Sequence, residues 1–216
     1  GDMNSKRRLT IRSNIFSVIL IAIVFTSSCG DRTKKYDIDP KEFQVVPINT
    51  YYDDAYKIAS EWDTNPYCDY RLSTFAMPND NDGSLRIIYG FRSRSNPAKW
   101  LTVTFDALDP AQYKVADGLF SEGNKRPFTQ EIEVGKLPFD ITDTLIIAYQ
   151  NGGNDFLQEN KGFNSDSFVE LQQENEFLGT GPLVWIVTFS SNRYKTMYVK
   201  IDALTGDVLD VWRNDR

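Results

Sequence analysis

Residues 185–209, WIVTFSSNRYKTMYVKIDALTGDVL, constrain the fold more tightly than any other part of the chain. Trp185, Val187 and Phe189 alternate with Ile186 and Thr188, and Met197, Val199 and Ile201 alternate with Tyr198 and Lys200. A period of two sends one set to a core and the other to the opposite face of a sheet. Ser190, Ser191, Asn192 and Arg193 break the first run, and residues 202–206 (DALTG) turn the chain into Val208 and Leu209. Gly206 supplies the positive φ of a tight turn, and Asp202 can accept hydrogen bonds from turn amides. The stretch is predicted to form three antiparallel strands.

The same pattern occurs earlier. Leu101, Val103, Phe105, Asp106, Ala107 and Leu108 match Met197, Val199, Ile201, Asp202, Ala203 and Leu204 at an offset of 96 residues. Upstream, residues 88–91 align with 186–189. Each copy follows a helical pattern. Tyr52, Ala55, Ala59 and Trp62 share one face of a helix over 51–62, with Thr50 as its N-cap and Asn65-Pro66 forcing its end. Asp140 caps a second helix in which Ile141, Leu145 and Ala148 share a face and Gly152-Gly153 closes the run, with a further short helix over 155–160.

The first copy has strands at 71–77, 85–92, 100–107 and 113–120, with a strand or connector at 129–134; the second opens with a strand at 168–177 and ends with one at 208–212. The acidic run before Gly83 is a hairpin turn rather than a calcium loop. Counting from Gly83, Pro78 and Tyr89 would fall at the first and twelfth ligand positions, and neither offers a carboxylate. The expected fold is α+β: two tandem repeats, residues 50–137 and 138–216, each a helix or helix pair packed on an antiparallel sheet of about four strands.

Residues 1–28 carry Lys6, Arg7, Arg8 and Arg12 against Asp2, followed by an apolar run over 15–25 and the small residues Thr26, Ser27 and Ser28. An eleven-residue helix spans only about half of a ~30 Å hydrocarbon core, so this is a leader and not a membrane span. Cys29-Gly30 after those small residues resembles a bacterial lipobox, with Thr26 where that motif usually carries Leu. The resemblance implies removal of residues 1–28, lipidation of Cys29 and a bacterial envelope location, expected at the outer membrane on its periplasmic or surface side; the polar, charged composition beyond Cys29 suits a tether over 29–49, in which Phe43 to Ile48 could add an edge strand. The chain's −6, less the +3 of the leader, leaves −9 on the remainder, which repels phosphate backbones and argues against a nucleic-acid partner.

Lipidation of Cys29 would leave Cys68 as the sole thiol, so no intrachain disulfide forms. With no His in the chain to activate it, Cys68 reads as a small buried hydrophobe. The absence of His also removes the commonest general base and metal ligand, and no metal or cofactor is expected. Acidic pairs such as Glu131 with Glu133, or Glu170 with Glu174, are unavoidable among so many carboxylates, and they come with no nucleophile motif or phosphate loop.

Residues 199–209, VKIDALTGDVL, resemble the closing hairpin of PepSY-type domains, with Asp109-Pro110 standing in the first copy where Thr205-Gly206 stands in the second. Tandem units of this kind are also similar to the architecture of beta-lactamase inhibitor proteins. The resemblance implies a non-catalytic module, found beside peptidase propeptides and in exported bacterial proteins, for which protease inhibition has been proposed. The expected function is therefore protein binding through the sheet, with a peptidase as one partner class. A glycan-binding lipoprotein using exposed Trp and Tyr is the alternative, and carboxylate catalysis a distant third. The candidate surface comprises Tyr198, Lys200, Tyr194, Trp100 and Trp185. Core packing is the competing expectation for the two Trp residues, while Tyr198 and Lys200 alternate with Val199 and so face away from the core.

Overall fold

The computed structural model describes residues 39–77, 85–121, 129–160, 167–175, 180–191 and 194–214. The leader, Cys29, the first part of the tether, the Asp82-Gly83 turn, the loop at Lys125 and the Asn192-Arg193 turn lie outside the described residues. The chain runs through β1 (Gln44–Val45), α1 (Tyr52–Trp62), β2 (Pro66–Ala76), β3 (Arg86–Ser93), β4 (Lys99–Asp106) and β5 (Tyr113–Leu119). It continues through α2 (Ile141–Ala148), α3 (Asn154–Asn160), β6 (Phe168–Asn175), β7 (Thr180–Ser190), β8 (Thr196–Asp202) and β9 (Val208–Asn214).

Strands β2 to β5 form one antiparallel meander and β6 to β9 another. The sequence led us to expect two sheets. Instead β2 pairs antiparallel with β6, from Tyr70 opposite Gln172 to Thr74 opposite Phe168, giving one sheet in the order β5-β4-β3-β2-β6-β7-β8-β9. Two separate meanders would each expose a first strand's unpaired amides and carbonyls; pairing β2 with β6 removes both edges at once.

All three helices cover the same face. Arg71 on β2 lies opposite Leu171 on β6, so their side chains point the same way. The Arg71 guanidinium sits over the Tyr52 ring of α1, and Leu171 belongs to the core formed with α2 and α3. Ala55 and Ala59 of α1 pack with Tyr89, Phe91, Leu101, Val103 and Phe105. Ile141, Leu145 and Ala148 of α2, with Phe156 and Leu157 of α3, pack with Val169, Trp185, Val187, Phe189, Met197, Val199 and Ile201. The alternation that predicted these strands therefore describes a helix-covered face and a helix-free one.

Local chemistry fixes the elements. Asp140 accepts from the Asp143 amide at 2.8 Å and the Asp143 carboxylate accepts from the Asp140 amide at 3.4 Å, a reciprocal cap for α2. After Ala148 the chain widens into a π-type turn, Tyr149–Gly153, before α3 resumes, so Gly152-Gly153 kinks the helical run instead of ending it. Gly152 takes φ +113°, and a Cβ there would stand 2.6 Å from Met197 Cε. The β8–β9 turn is held by Asp202 Oδ1, which accepts from the Leu204 and Thr205 amides at 2.8 and 2.9 Å, with Gly206 at φ +77°.

Two local expectations are corrected. Thr50 does not cap α1: its hydroxyl donates to the Pro47 carbonyl at 2.7 Å, and α1 begins after Tyr51 without a side-chain cap. The segment before α1, read as tether to residue 49 with an edge strand allowed over 43–48, is structural from Phe43 onward and does form the short strand β1. Phe43, Val46 and Ile48 are buried, and β1 pairs with the end of β2. Apolar side chains at these three positions drive the segment into the seam between the two helix-covered clusters.

Replacing Asp140 by Ala leaves the first amides of α2 without their acceptor and is expected to destabilise the fold by about 1 kcal/mol. Leu145→Ala, which opens a cavity among fully buried neighbours, is expected to lose about 2–5 kcal/mol. Urea unfolding of the two variants measures both, and equal effects would contradict this assignment.

Candidate functional site

Among the described residues no helix covers the second face of the sheet, and alternation dictates what that face carries. On β8 the residues between Met197, Val199 and Ile201 are Tyr198 and Lys200, which stand opposite Trp212 and Asp210 of β9. Tyr198 and Trp212 stack with ring centres 4.9 Å apart and planes 9° from parallel. Lys200 lies 5.9 Å from the Trp212 ring centre and pairs with Glu174 at 3.5 Å. The Thr196 hydroxyl lies 3.3 Å from that of Tyr198. Trp212 is 37% exposed, so this stack presents an aromatic surface. The sequence pointed to Tyr198 and Lys200 but not to Trp212; the signal was its place in the alternation of the last strand.

Trp100 lies on the same face in the first meander. Its indole covers Gly118 of β5, where an added Cβ would be 2.8 Å from the ring, and its centre is 6.5 Å from that of Phe120. Tyr70 similarly lies against Gly90, where a Cβ would come within 2.9 Å. Glycine at these two strand positions leaves room for the Trp100 indole and for the Tyr70 side chain. Trp100, Phe120, Tyr70, Glu170 and Gln172, with Asp69, Arg92 and Thr102, line a surface cavity of about 440 Å³. Arg92 and Asp69 pair at 3.7 Å within it. Trp100 and Tyr198 are separated by five strand steps, β4-β3-β2-β6-β7-β8, roughly 24 Å across the sheet at the spacing of paired strands, and are further offset along the strands, because the row through Lys200 meets β4 at Thr104 and the two aromatics lie on opposite sides of that row.

Tyr194 is 89% exposed at a positive φ of 60° in the β7–β8 connection. Trp185 is different. It is 1% exposed and belongs to the helix-covered core, where alternation with Val187 and Phe189 places it, so it is no part of a surface. The acidic pairs do not act as pairs: Glu131 bonds Arg94, Glu133 bonds Lys136, Glu174 bonds Lys200, and Glu170 accepts the Tyr70 hydroxyl at 2.7 Å. Among the described residues no group of three or more His, Cys, Asp or Glu side chains is placed to hold a metal ion.

Cys68 is wholly buried beside Arg71, which is itself 1% exposed. Arg71 Nε donates to Cys68 Sγ at 3.4 Å, its other nitrogens donate to Asn49 Oδ1 and to the Ile132 carbonyl at 3.3 Å, and its guanidinium carbon lies 4.0 Å from the Tyr52 ring centre. Burial pushes the Cys68 thiol up to about 11 despite the neighbouring cation, which pulls the other way. Burial also raises the Tyr89 and Tyr52 phenols. Cys68 is therefore a neutral thiol packed into the core.

Three comparisons place the chain. Residues 162–212 match the family PepSY, described as "Peptidase propeptide and YPEB domain". A crystal structure of a presumptive lipoprotein from Clostridium difficile 630 is similar, with a TM-score of 0.48 and 12% identity, over 84% of this chain and 98% of that one. No curated protein matches the chain. The match contains the residues 199–209 that carried the resemblance, and it spans β6, β7, β8 and β9 as far as Trp212.

The raised Cys68 thiol has a pH consequence. The unfolded chain releases this proton near 9.0, whereas the folded chain keeps it to about 11. Stability tied to the neutral thiol is thus complete below pH 9 and lost as pH rises towards 11, with Tyr89 and Tyr52 acting in the same direction. The Cys68 share amounts to about 2–3 kcal/mol. Urea midpoints across this window should fall, and Cys68→Ser should make that fall shallower; an unchanged slope would refute the assignment.

Proposed function

We propose that this chain is a lipid-anchored, non-catalytic binding module of the bacterial envelope that engages a protein partner across the helix-free face of its sheet. One observation carries the reading. Aromatic groups stand on that face at Trp100 with Phe120 and at Tyr198 with Trp212, more than about 24 Å apart. A small ligand cannot touch both; the surface of a folded protein spans them easily, since a standard interface covers about 800 Å² on each partner. Such rigid aromatic groups are the usual anchors of protein interfaces.

The PepSY match at residues 162–212 supports a peptidase, or another envelope protein regulated in the same way, as the partner class. The basic and apolar leader followed by Ser27-Ser28-Cys29-Gly30 supports lipidation of Cys29 at a membrane surface with residues 1–28 removed. We further read the two meanders as a duplicated helix-and-sheet unit, residues 50–137 and 138–216. In support, Leu101, Val103 and Phe105 of β4 and Met197, Val199 and Ile201 of β8 all lie on the helix-covered side of the third strand of their meander.

Two measurements test the proposal. Cys29→Ala should abolish incorporation of labelled palmitate and move the chain from the membrane to the soluble fraction; retention of label would refute the anchor. Captured on lipid nanodiscs, the wild-type chain should retain an envelope protein that is lost, by about tenfold or more in affinity, from Tyr198→Ala and Trp212→Ala variants of unchanged thermal stability. Retention by both variants would exclude this face. Displacement of the retained protein by oligosaccharide would favour a glycan-binding lipoprotein instead.

A further inference from the structure

Trp185 carries a donor that the core around it does not satisfy. The side chain is 1% exposed, and its indole Nε1–H has no acceptor among the described residues. A buried donor without an acceptor costs free energy that an aliphatic side chain in the same place would not. The first meander holds such a side chain. Ile87 stands between Ser73 and Phe105 as Trp185 stands between Leu171 and Ile201, and Ile87 is fully buried. Packing at this place in a meander therefore does not require a nitrogen.

Trp185 also lines a cavity of about 380 Å³, formed where the segment before α1 meets residues 137–139 and the start of α2. Small-molecule sites fall in the range of about 300–1,000 Å³. Val45, Ile48, Leu137, Phe139 and Ile141 give this one apolar walls. Its polar groups have a definite sense. The first amides of a helix lack intrahelical acceptors. In α2 that of Asp143 goes to Asp140, and those of Ile141 and Thr142, both of which line the cavity, stand outside this cap. Indole and helix amides all donate, so an occupant must bring an acceptor. The Asp140 and Asp143 carboxylates line the same cavity, and among the described lining residues there is no Lys or Arg. Two carboxylates repel an anion, and the reciprocal cap already engages both of them. The acceptor that fits is an uncharged one, a carbonyl oxygen.

We infer that this cavity binds an uncharged apolar carbonyl compound, the chemistry shared by a leucine-like residue of a peptide and by a small aliphatic ketone. Its oxygen accepts from Trp185 and its aliphatic body lies among Ile48, Leu137 and Phe139. The Trp185 nitrogen is shielded from solvent, so the acceptor reaches it as Leu137 and Phe139, both only half-buried, give way. The site belongs to the helix-covered side of the sheet, where Trp185 and Ile141 share one core, and it stands or falls independently of the aromatic face.

The test uses the full chain in lipid nanodiscs with nitrogen-15 in its tryptophan indoles. The Trp185 N–H resonance is the one retained in each of Trp62→Phe, Trp100→Phe and Trp212→Phe. The probes are N-acetyl-leucinamide, which is neutral, N-acetyl-leucine, which is an anion, and leucinamide, which is a cation at about pH 6.5. N-acetyl-leucinamide should move the Trp185 resonance downfield and saturably, and both charged probes should bind at least about tenfold more weakly. The ketone 4-methylpentan-2-one should move the same resonance. Tighter binding of N-acetyl-leucinamide than of the ketone assigns the site to a peptide residue, and the reverse assigns it to a small carbonyl compound. Thr142→Phe, which fills the cavity from α2, should abolish the response at unchanged thermal unfolding; Leu137→Phe is read in its place where Thr142→Phe unfolds earlier. A Trp185 resonance that no probe moves, as when a bound water alone meets the indole, would overturn the inference. So would equal or tighter binding of either charged probe, or a response that survives the filled cavity.

Discussion

The backbone ladder between β2 and β6 is the interaction on which the rest depends. It is a short stretch, Tyr70 to Thr74 against Phe168 to Gln172, yet it converts two meanders into one sheet. Because partners across a ladder point the same way, it also forces Arg71 and Leu171 onto one side and Tyr70 and Gln172 onto the other. Helices α1, α2 and α3 then cover the first side, and no helix among the described residues covers the second. A single residue of slip would invert this assignment, turning Leu171 outward and Glu170 into the core. The apolar pattern of β6 and β7 opposes such a slip with the burial of Val169, Leu171, Trp185 and Val187.

On the helix-covered side the junction is sealed by unusual chemistry. Arg71 is fully buried and its hydrogen-bond acceptors are a thiol, an amide oxygen and a carbonyl, with the Tyr52 ring above it. Each comes from a different part of the chain: Cys68 from β2, Asn49 from the segment before α1, Ile132 from the connection after β5, and Tyr52 from α1. A planar guanidinium with several fixed donors is suited to tie together backbone segments that lack regular pairing of their own. Leaving any of those acceptors out would strand a buried charge, so the connection at 129–134 and the segment at 43–50 are held in place by polar requirement as well as by packing.

Much of this was legible in the residues. Met197, Val199 and Ile201 announced a half-buried strand, Asp140 a capped helix, and Asp202 with Gly206 a tight turn, because each of those signals is local and the neighbours that satisfy it lie within a few positions. The pairing of β2 with β6 joins residues about a hundred positions apart and has no local signature, so two sheets were as consistent with the pattern as one. Arg71 was illegible for the same reason: a buried cation is expected only once its scattered acceptors are known. Trp185 was legible and still belonged to two expectations, since its alternation with Val187 and Phe189 pointed inward while its aromatic character suggested a surface. Of the helix-free face, Tyr198 and Lys200 could be named from alternation, and Trp100 from its aromatic character at the start of its strand, with core packing as the competing expectation. Trp212 and Glu170 acquire meaning only from the cross-strand register, which brings one onto Tyr198 and sets the other between Leu72 and Ile186.

The strand order also grades the molecule from its middle outward. β2 and β6 each have a partner on both sides and lie beneath the helices, whereas β5 and β9 form the margins and are exposed along most of their length. Amides of the inner strands can exchange with deuterium only through openings that disrupt both meanders, while those at the margins exchange through local fraying. The slowest hydrogens of the chain therefore belong to the two strands that open their meanders, far apart in sequence and adjacent in space, and the kinetic heart of the protein coincides with the seam between its halves.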